Sequence, residues 1–196
     1  MLFRSHVVSL DPTSLDDVLA DVVRVGQATG AEVAAAELVA DLRARVETVR
    51  AALAGRDPVA TMALEWLDPP FTAGHWVPDM VAVAGGVSLL GEPGAPSHRA
   101  TWTDIVATAP AVLLAIPCGY DLERARREAA RLYDVDELRA TAAISAERVF
   151  AADADGRFSR PGPRVVDGVE ALAWVLHPDA VPQPPAGVVA PVGRLA

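Results

Sequence analysis

Val59-Ala60-Thr61-Met62-Ala63-Leu64-Glu65-Trp66, then Leu67-Asp68-Pro69-Pro70-Phe71-Thr72-Ala73-Gly74-His75-Trp76, then Val77-Pro78-Asp79-Met80-Val81-Ala82-Val83-Ala84, is the stretch on which the fold turns. Its first part is an apolar run of strand length, its second a proline-rich loop, and its third a short helical pattern. Two further apolar runs lie downstream, Ala111–Ile116 and the weaker Arg148–Ala152. Helical stretches near Thr103–Ala109, Asp121–Tyr133 and Val165–Leu176 separate and follow them. Strands spaced by helices predict a mainly parallel sheet covered on both faces, an α/β lobe of three layers.

Upstream of this lobe the chain reads as helix. Ser14 is an N-cap followed by Asp16 and Asp17 in the first turn, and Gly30 is a stop. A longer helix is predicted from Ala31 to Ala54, with Ala35, Val39, Leu42, Val46, Val49 and Leu53 on one face and Gly55 and Pro58 closing it. His6–Leu10 reads as a short opening strand, and the prolines from Pro178 onward as an extended tail.

The 196 residues suffice for a sizeable core, and 52% of them are hydrophobic, too many for a disordered chain. All 17 basic residues are arginine and the formal net charge is −9. Without a basic cluster, no nucleic-acid partner is expected. No run approaches the ~20 apolar residues that span a bilayer, so no membrane insertion is expected. The start of the chain carries no signal-peptide pattern. The single Cys118 leaves no intrachain disulfide, and His6, His75, His98 and His177 show no metal-ligand spacing, so no metal site is expected.

In an open parallel sheet, ligands bind beyond the carboxyl ends of the strands. Here those ends feed Leu67–Trp76, Pro117–Tyr120 and Asp153–Pro163, which hold four of the ten aromatics: Phe71, Trp76, Tyr120 and Phe158. Stiffened by prolines, they read either as a preformed surface for a flat or bulky ligand or as caps on the core. Arg160, in Phe158-Ser159-Arg160-Pro161, is a guanidinium suited to an amide, carboxylate or phosphate, or to a surface ion pair. Cys118 reads as a small buried thiol or as a nucleophile with His75 or His98 as base, although a Gly-x-nucleophile-x-Gly elbow is absent. The glycines Gly85, Gly86, Gly91 and Gly94 follow a helix rather than a strand, which argues against a phosphate loop.

The string Leu64–Trp76, followed by Val77-Pro78-Asp79-Met80 and Ala84-Gly85-Gly86, resembles the second lobe of the helical-backbone substrate-binding proteins. These serve ABC importers for vitamin B12 and iron–siderophores. Trp102-Thr103-Asp104-Ile105-Val106 with Ala109-Pro110, and Phe158–Arg164, resemble later steps of the same lobe, so the resemblance runs from about Ser5 to Pro178. It implies the end of a first lobe in residues 1–30, a bridging helix in 31–55, a ligand-binding α/β lobe in 56–178 and a proline-rich tail in 179–196. It also implies a protein that binds and delivers cobalamin or a ferric chelate to a membrane permease, outside the cytoplasm, without catalysis. Phe71 matches a family aromatic that packs on the corrin, and Arg160 an arginine near the ligand. Ser97 stands in the region of a family tryptophan. His75 and Trp76 mark a departure from the B12 binder. Trp66, Tyr120 and Phe158 complete the expected ligand-binding set. Asp104 stands near a family glutamate that meets permease arginines. Family members place a whole lobe ahead of the long helix, so the resemblance implies that a first lobe is missing and that Val39, Leu42, Val46 and Val49 lie partly exposed. The rivals are a small α/β hydrolase using Cys118 and His75, an iron–siderophore or heme binder of the same fold, and an intracellular corrinoid-binding protein with no permease partner.

Overall fold

The computed structural model describes residues 7–194. Residues 7–10 carry no regular structure, so the body of the expected opening strand is absent; His6 lies outside the described residues. Helix α1 spans Leu15–Thr29, with Ser14 and Asp17 forming a reciprocal capping box and Gly30 closing it in the left-handed conformation. Helix α2 follows at Glu32–Ala52.

The lobe then runs β1 (Val59–Leu67), β2 (Pro70–Thr72), α3 (Val77–Val83), β3 (Gly86–Ser88), β4 (His98–Arg99), α4 (Trp102–Ala107) and β5 (Val112–Ala115). After these come α5 (Leu122–Ala129), two 3-10 turns, α6 (Ala142–Ser145), β6 (Val149–Ala152), α7 (Ala154–Arg157), α8 (Val165–Leu176) and β7 (Val189–Pro191). The first 3-10 turn, Ala130–Asp134, takes over where a single helix through Tyr133 was expected.

β3, β1, β5 and β6 pair in parallel. Antiparallel strands flank them: β2 and β4 beside the carboxyl half of β1, and β7 beside β6. The sheet is therefore a parallel centre with antiparallel margins. β7 comes from the proline-rich tail, which is thus partly strand.

Strand alternation sorts the core into two layers. Ala63, Val112 and Leu114 face the side holding α1, α2, α3 and α8; Met62, Leu64, Leu113 and Val149 face α5 and α6. The predicted stripe on α2 is real, but it is not exposed. Leu42 retains 1% of its surface and Val39, Val46 and Val49 are buried in the same cluster as Leu15, Val18 and Leu19 of α1. The helical hairpin of α1 and α2 supplies its own cover, which corrects the expectation of an open stripe. Arg45 fastens α2 to α8: its Nε and Nη2 donate to the two oxygens of Glu170 at 2.9 and 2.7 Å, and Nη2 also reaches Asp167 at 2.7 Å. The hydrogen bonds from Arg45 to Glu170, opposed by desolvation, raise its pKa above the ordinary arginine value.

Candidate functional site

The carboxyl ends of β1, β5 and β6 lie side by side, so their following segments form one wall of the lobe. At the end of β1 the register to β2 slips between Leu64 and Trp66, and Trp66 then pairs with Phe71. Such an irregularity re-aims the side chain that follows it. The Trp66 indole donates to the Asp68 carbonyl at 3.0 Å and meets the Tyr120 ring edge-on, with centroids 5.6 Å apart and planes at 71°. Tyr120 follows β5 through Gly119, whose φ of +76° a side chain would strain. Arg124, in the first turn of α5, stacks 3.6 Å from the Tyr120 centroid and donates to its hydroxyl at 3.0 Å. Beside this pair opens a cavity of about 550 Å³ bordered by Trp66, Asp68, Trp102, Pro117, Tyr120 and Leu132.

A second part of the wall is laced to the segment before β4. The His75 N–H donates to the Ala95 carbonyl at 2.6 Å, and its carbonyl accepts from Gly94 at 3.1 Å. Gly74 permits this approach: a Cβ there would lie 2.3 Å from the Ser97 nitrogen. Ser97 donates from its hydroxyl to the Glu65 carboxylate at 2.5 Å. Phe71 and His75 are half-buried, with the His75 ring tilted 5.8 Å from Trp76.

Trp76 is half-buried against the core and donates from its indole to the Phe158 carbonyl at 2.9 Å. Phe158 itself is 2% exposed. The single turn of α7, capped by Asp153, swings the ring inward toward Gly168 of α8. Phe158 therefore offers no face to a ligand at this wall, a correction to its expected role. Arg160 stays at the surface, where Nε and Nη2 donate to Asp155 Oδ1 at 3.0 and 2.8 Å.

Cys118 is exposed rather than buried. Its N–H donates to the Glu65 carbonyl at 3.1 Å, while His98 Nδ1 is engaged with the Thr72 hydroxyl at 3.1 Å. Among the described residues no histidine ring is hydrogen-bonded to the Cys118 thiol, and no group of three potential metal ligands converges. Asp104, exposed at the start of α4, caps that helix with Thr101. Hydrogen bonds from the Thr101 side chain and backbone hold its carboxyl below the ordinary range.

The structure thus brings Trp66 and Tyr120 together, sets Phe71 opposite Trp66 in the hairpin, and joins Ser97 to Glu65. Sequence reasoning missed Glu65, Asp68, Trp102 and Arg124. Of these, Arg124 had a readable signal, its i,i+4 spacing from Tyr120 across a helix start.

The Trp66–Tyr120 pair lies beyond the carboxyl ends of parallel strands in an α/β lobe, the place where open parallel sheets present their loops. The sequence matches the periplasmic binding protein family over residues 4–155, and the chain belongs to that family. No curated protein matches it. Among solved structures it is similar to a periplasmic binding protein from Veillonella parvula dsm 2008, with 18% identity over 86% of this chain and 58% of that one, at a TM-score of 0.73. The periplasmic vitamin B12 binding protein BtuF of Vibrio cholerae shares 19% identity over 86% of this chain and 63% of that one, at 0.66. The periplasmic heme-binding protein RhuT from Roseiflexus sp. RS-1 shares 26% over 87% of this chain and 65% of that one, at 0.71. The chain spans less than two thirds of the length of each. No helix among the described residues is long and apolar enough to cross a membrane.

Proposed function

We propose that this chain forms one wall of a cleft that holds cobalamin or a related metal chelate, and that it delivers this cargo to an ABC permease outside the cytoplasm. The observation that carries the reading is the edge-on Trp66–Tyr120 pair at the ends of β1 and β5, opening onto a cavity of about 550 Å³. Paired rings held by a bulge and an arginine are a preorganised apolar platform, the surface a flat macrocycle needs. Phe71 and Arg160 extend it, with an apolar face and with N–H donors left over after the pair to Asp155. Asp104 is the proposed contact for a permease arginine, exposed and ionised at the start of α4. A second reading, heme as cargo, is favoured by the 26% identity to a protein described as heme-binding.

The test is titration of the chain with cyanocobalamin and with hemin, followed by ligand absorbance and tryptophan fluorescence. Trp66→Ala and Phe71→Ala are each expected to weaken binding by about 1–3 kcal/mol while the fold persists. Unchanged affinity in both variants would show that these rings only cap the core.

A further inference from the structure

A second cavity, of about 570 Å³, lies between α2, α8 and the segment 180–188, and it shares no bordering residue with the cavity beside Trp66 and Tyr120. Its size falls within the range of about 300–1,000 Å³ usual for small-molecule pockets. Its sides are apolar: Val49 and Ala52 of α2 border it together with Val181, Pro184, Pro185 and Val188. The proline-rich side is fixed in place. Pro182, Pro184 and Pro185 restrict φ, and the segment is tied at both ends, Ala180 donating to the His177 carbonyl at 3.0 Å and the Val188 carbonyl accepting from Asp153 at 2.9 Å. A wall built this way loses little freedom when a ligand arrives.

The polar border of the cavity is Arg45, Arg157, Asp167 and Glu170. Arg45 holds both Glu170 oxygens and Asp167 Oδ1, and Arg157 holds Asp153. Both guanidinium groups therefore have carboxylate partners, and three carboxylates stand against two cations, a balance that repels an anionic ligand group. Two polar atoms are left over. Arg157 Nε is buried and, among the described residues, has no hydrogen-bond acceptor. Asp167 Oδ2 accepts no hydrogen bond among the described residues and lies 3.9 Å from that Nε, too far to take its proton. One oxygen placed about 2.9 Å from each would serve both, accepting from Nε–H and donating to Oδ2. A hydroxyl does this from a single atom. An ether or ketone has no proton for Asp167, and an ammonium group has no lone pair for Arg157. We infer that this cavity is a second binding site, for an uncharged and mainly apolar molecule ending in a hydroxyl that bridges Arg157 and Asp167. It stands independently of the cargo proposed for the aromatic wall.

The probe is para-hexylphenol, whose hydroxyl keeps its proton at neutral pH because phenols titrate near about pH 10. Its methyl ether, which retains the acceptor and loses the donor, is the comparison. Titration calorimetry on the chain should show saturable binding of the phenol. The ether Kd should be at least about tenfold higher, since the hydrogen bond lost is one to a carboxylate. Ala52→Trp, at an exposed position of α2 on the cavity border, fills the space and should abolish binding of both compounds. Thr48→Trp, equally exposed on the same border, takes its place if Ala52→Trp lacks native circular dichroism. Equal affinity for phenol and ether, no saturable binding of the phenol, or undiminished binding in a natively folded tryptophan variant would each overturn the inference.

Discussion

Replacing Leu42 by alanine tests whether the α1–α2 hairpin is an integral part of this lobe. Leu42 retains 1% of its surface, in the cluster that joins α1, α2 and α8. Truncation removes three carbon groups, each carrying about 0.8 kcal/mol of transfer free energy, which gives roughly 2.4 kcal/mol before any cavity cost. With the cavity included, buried leucines lose about 2.7–5.0 kcal/mol. For a urea dependence of about 2 kcal/mol/M, the unfolding midpoint should fall by roughly 1.3–2.5 M. Leu38, on the same helix but 39% exposed, provides the control. Its alanine variant should lose under about 1 kcal/mol, in keeping with the small effect of exposed sites. Urea denaturation of the two variants, monitored by circular dichroism, makes the comparison. If Leu42→Ala cost no more than Leu38→Ala, α2 would not be docked as described and the corrected picture of its stripe would fail.

Phe158→Ala should destabilise the chain by about 3–5 kcal/mol, the range for a buried phenylalanine; a loss below about 1 kcal/mol would place the ring at the wall instead. Interaction with the Ser14 side chain, then with the Thr13 backbone amide, holds the Asp17 carboxyl below its ordinary value. Its stabilising effect is therefore fully present above the unfolded pKa and is lost as pH falls through the lowered folded one. The stability gap between the native chain and Asp17→Ala should accordingly narrow between neutral pH and about pH 3, and a gap independent of pH would refute the assignment.

Elements carried by local chemistry were legible in the sequence. The Ser14 cap, the Gly30 stop and the four-and-three spacing from Ala35 to Leu53 place α1 and α2 to within two residues. α8 has the expected bounds, because its apolar face is long and uninterrupted. β2, β3, β4 and β7 escaped notice since strands of two or three residues have no alternation to read, and β2 and β7 contain proline. The site divides along the same line. That the aromatics gather at strand ends followed from composition, but which way each ring points did not. Trp66 and Tyr120 meet only because β1 and β5 are neighbours in the sheet. Phe158, counted with them by its place in a loop, is turned inward by a four-residue helix that no periodicity could announce.

The shortness of the marginal strands bears on how copies of this lobe can meet. One side of the sheet ends in His98–Arg99 and the three residues of β3, the other in Val189–Pro191. A growing ladder needs several consecutive free N–H and C=O groups. Here it would find a charged side chain at Arg99 on one flank and, on the other, a proline with no proton to give. Edge-to-edge pairing of copies thus finds only two or three residues of template on any flank, too few to extend a ladder.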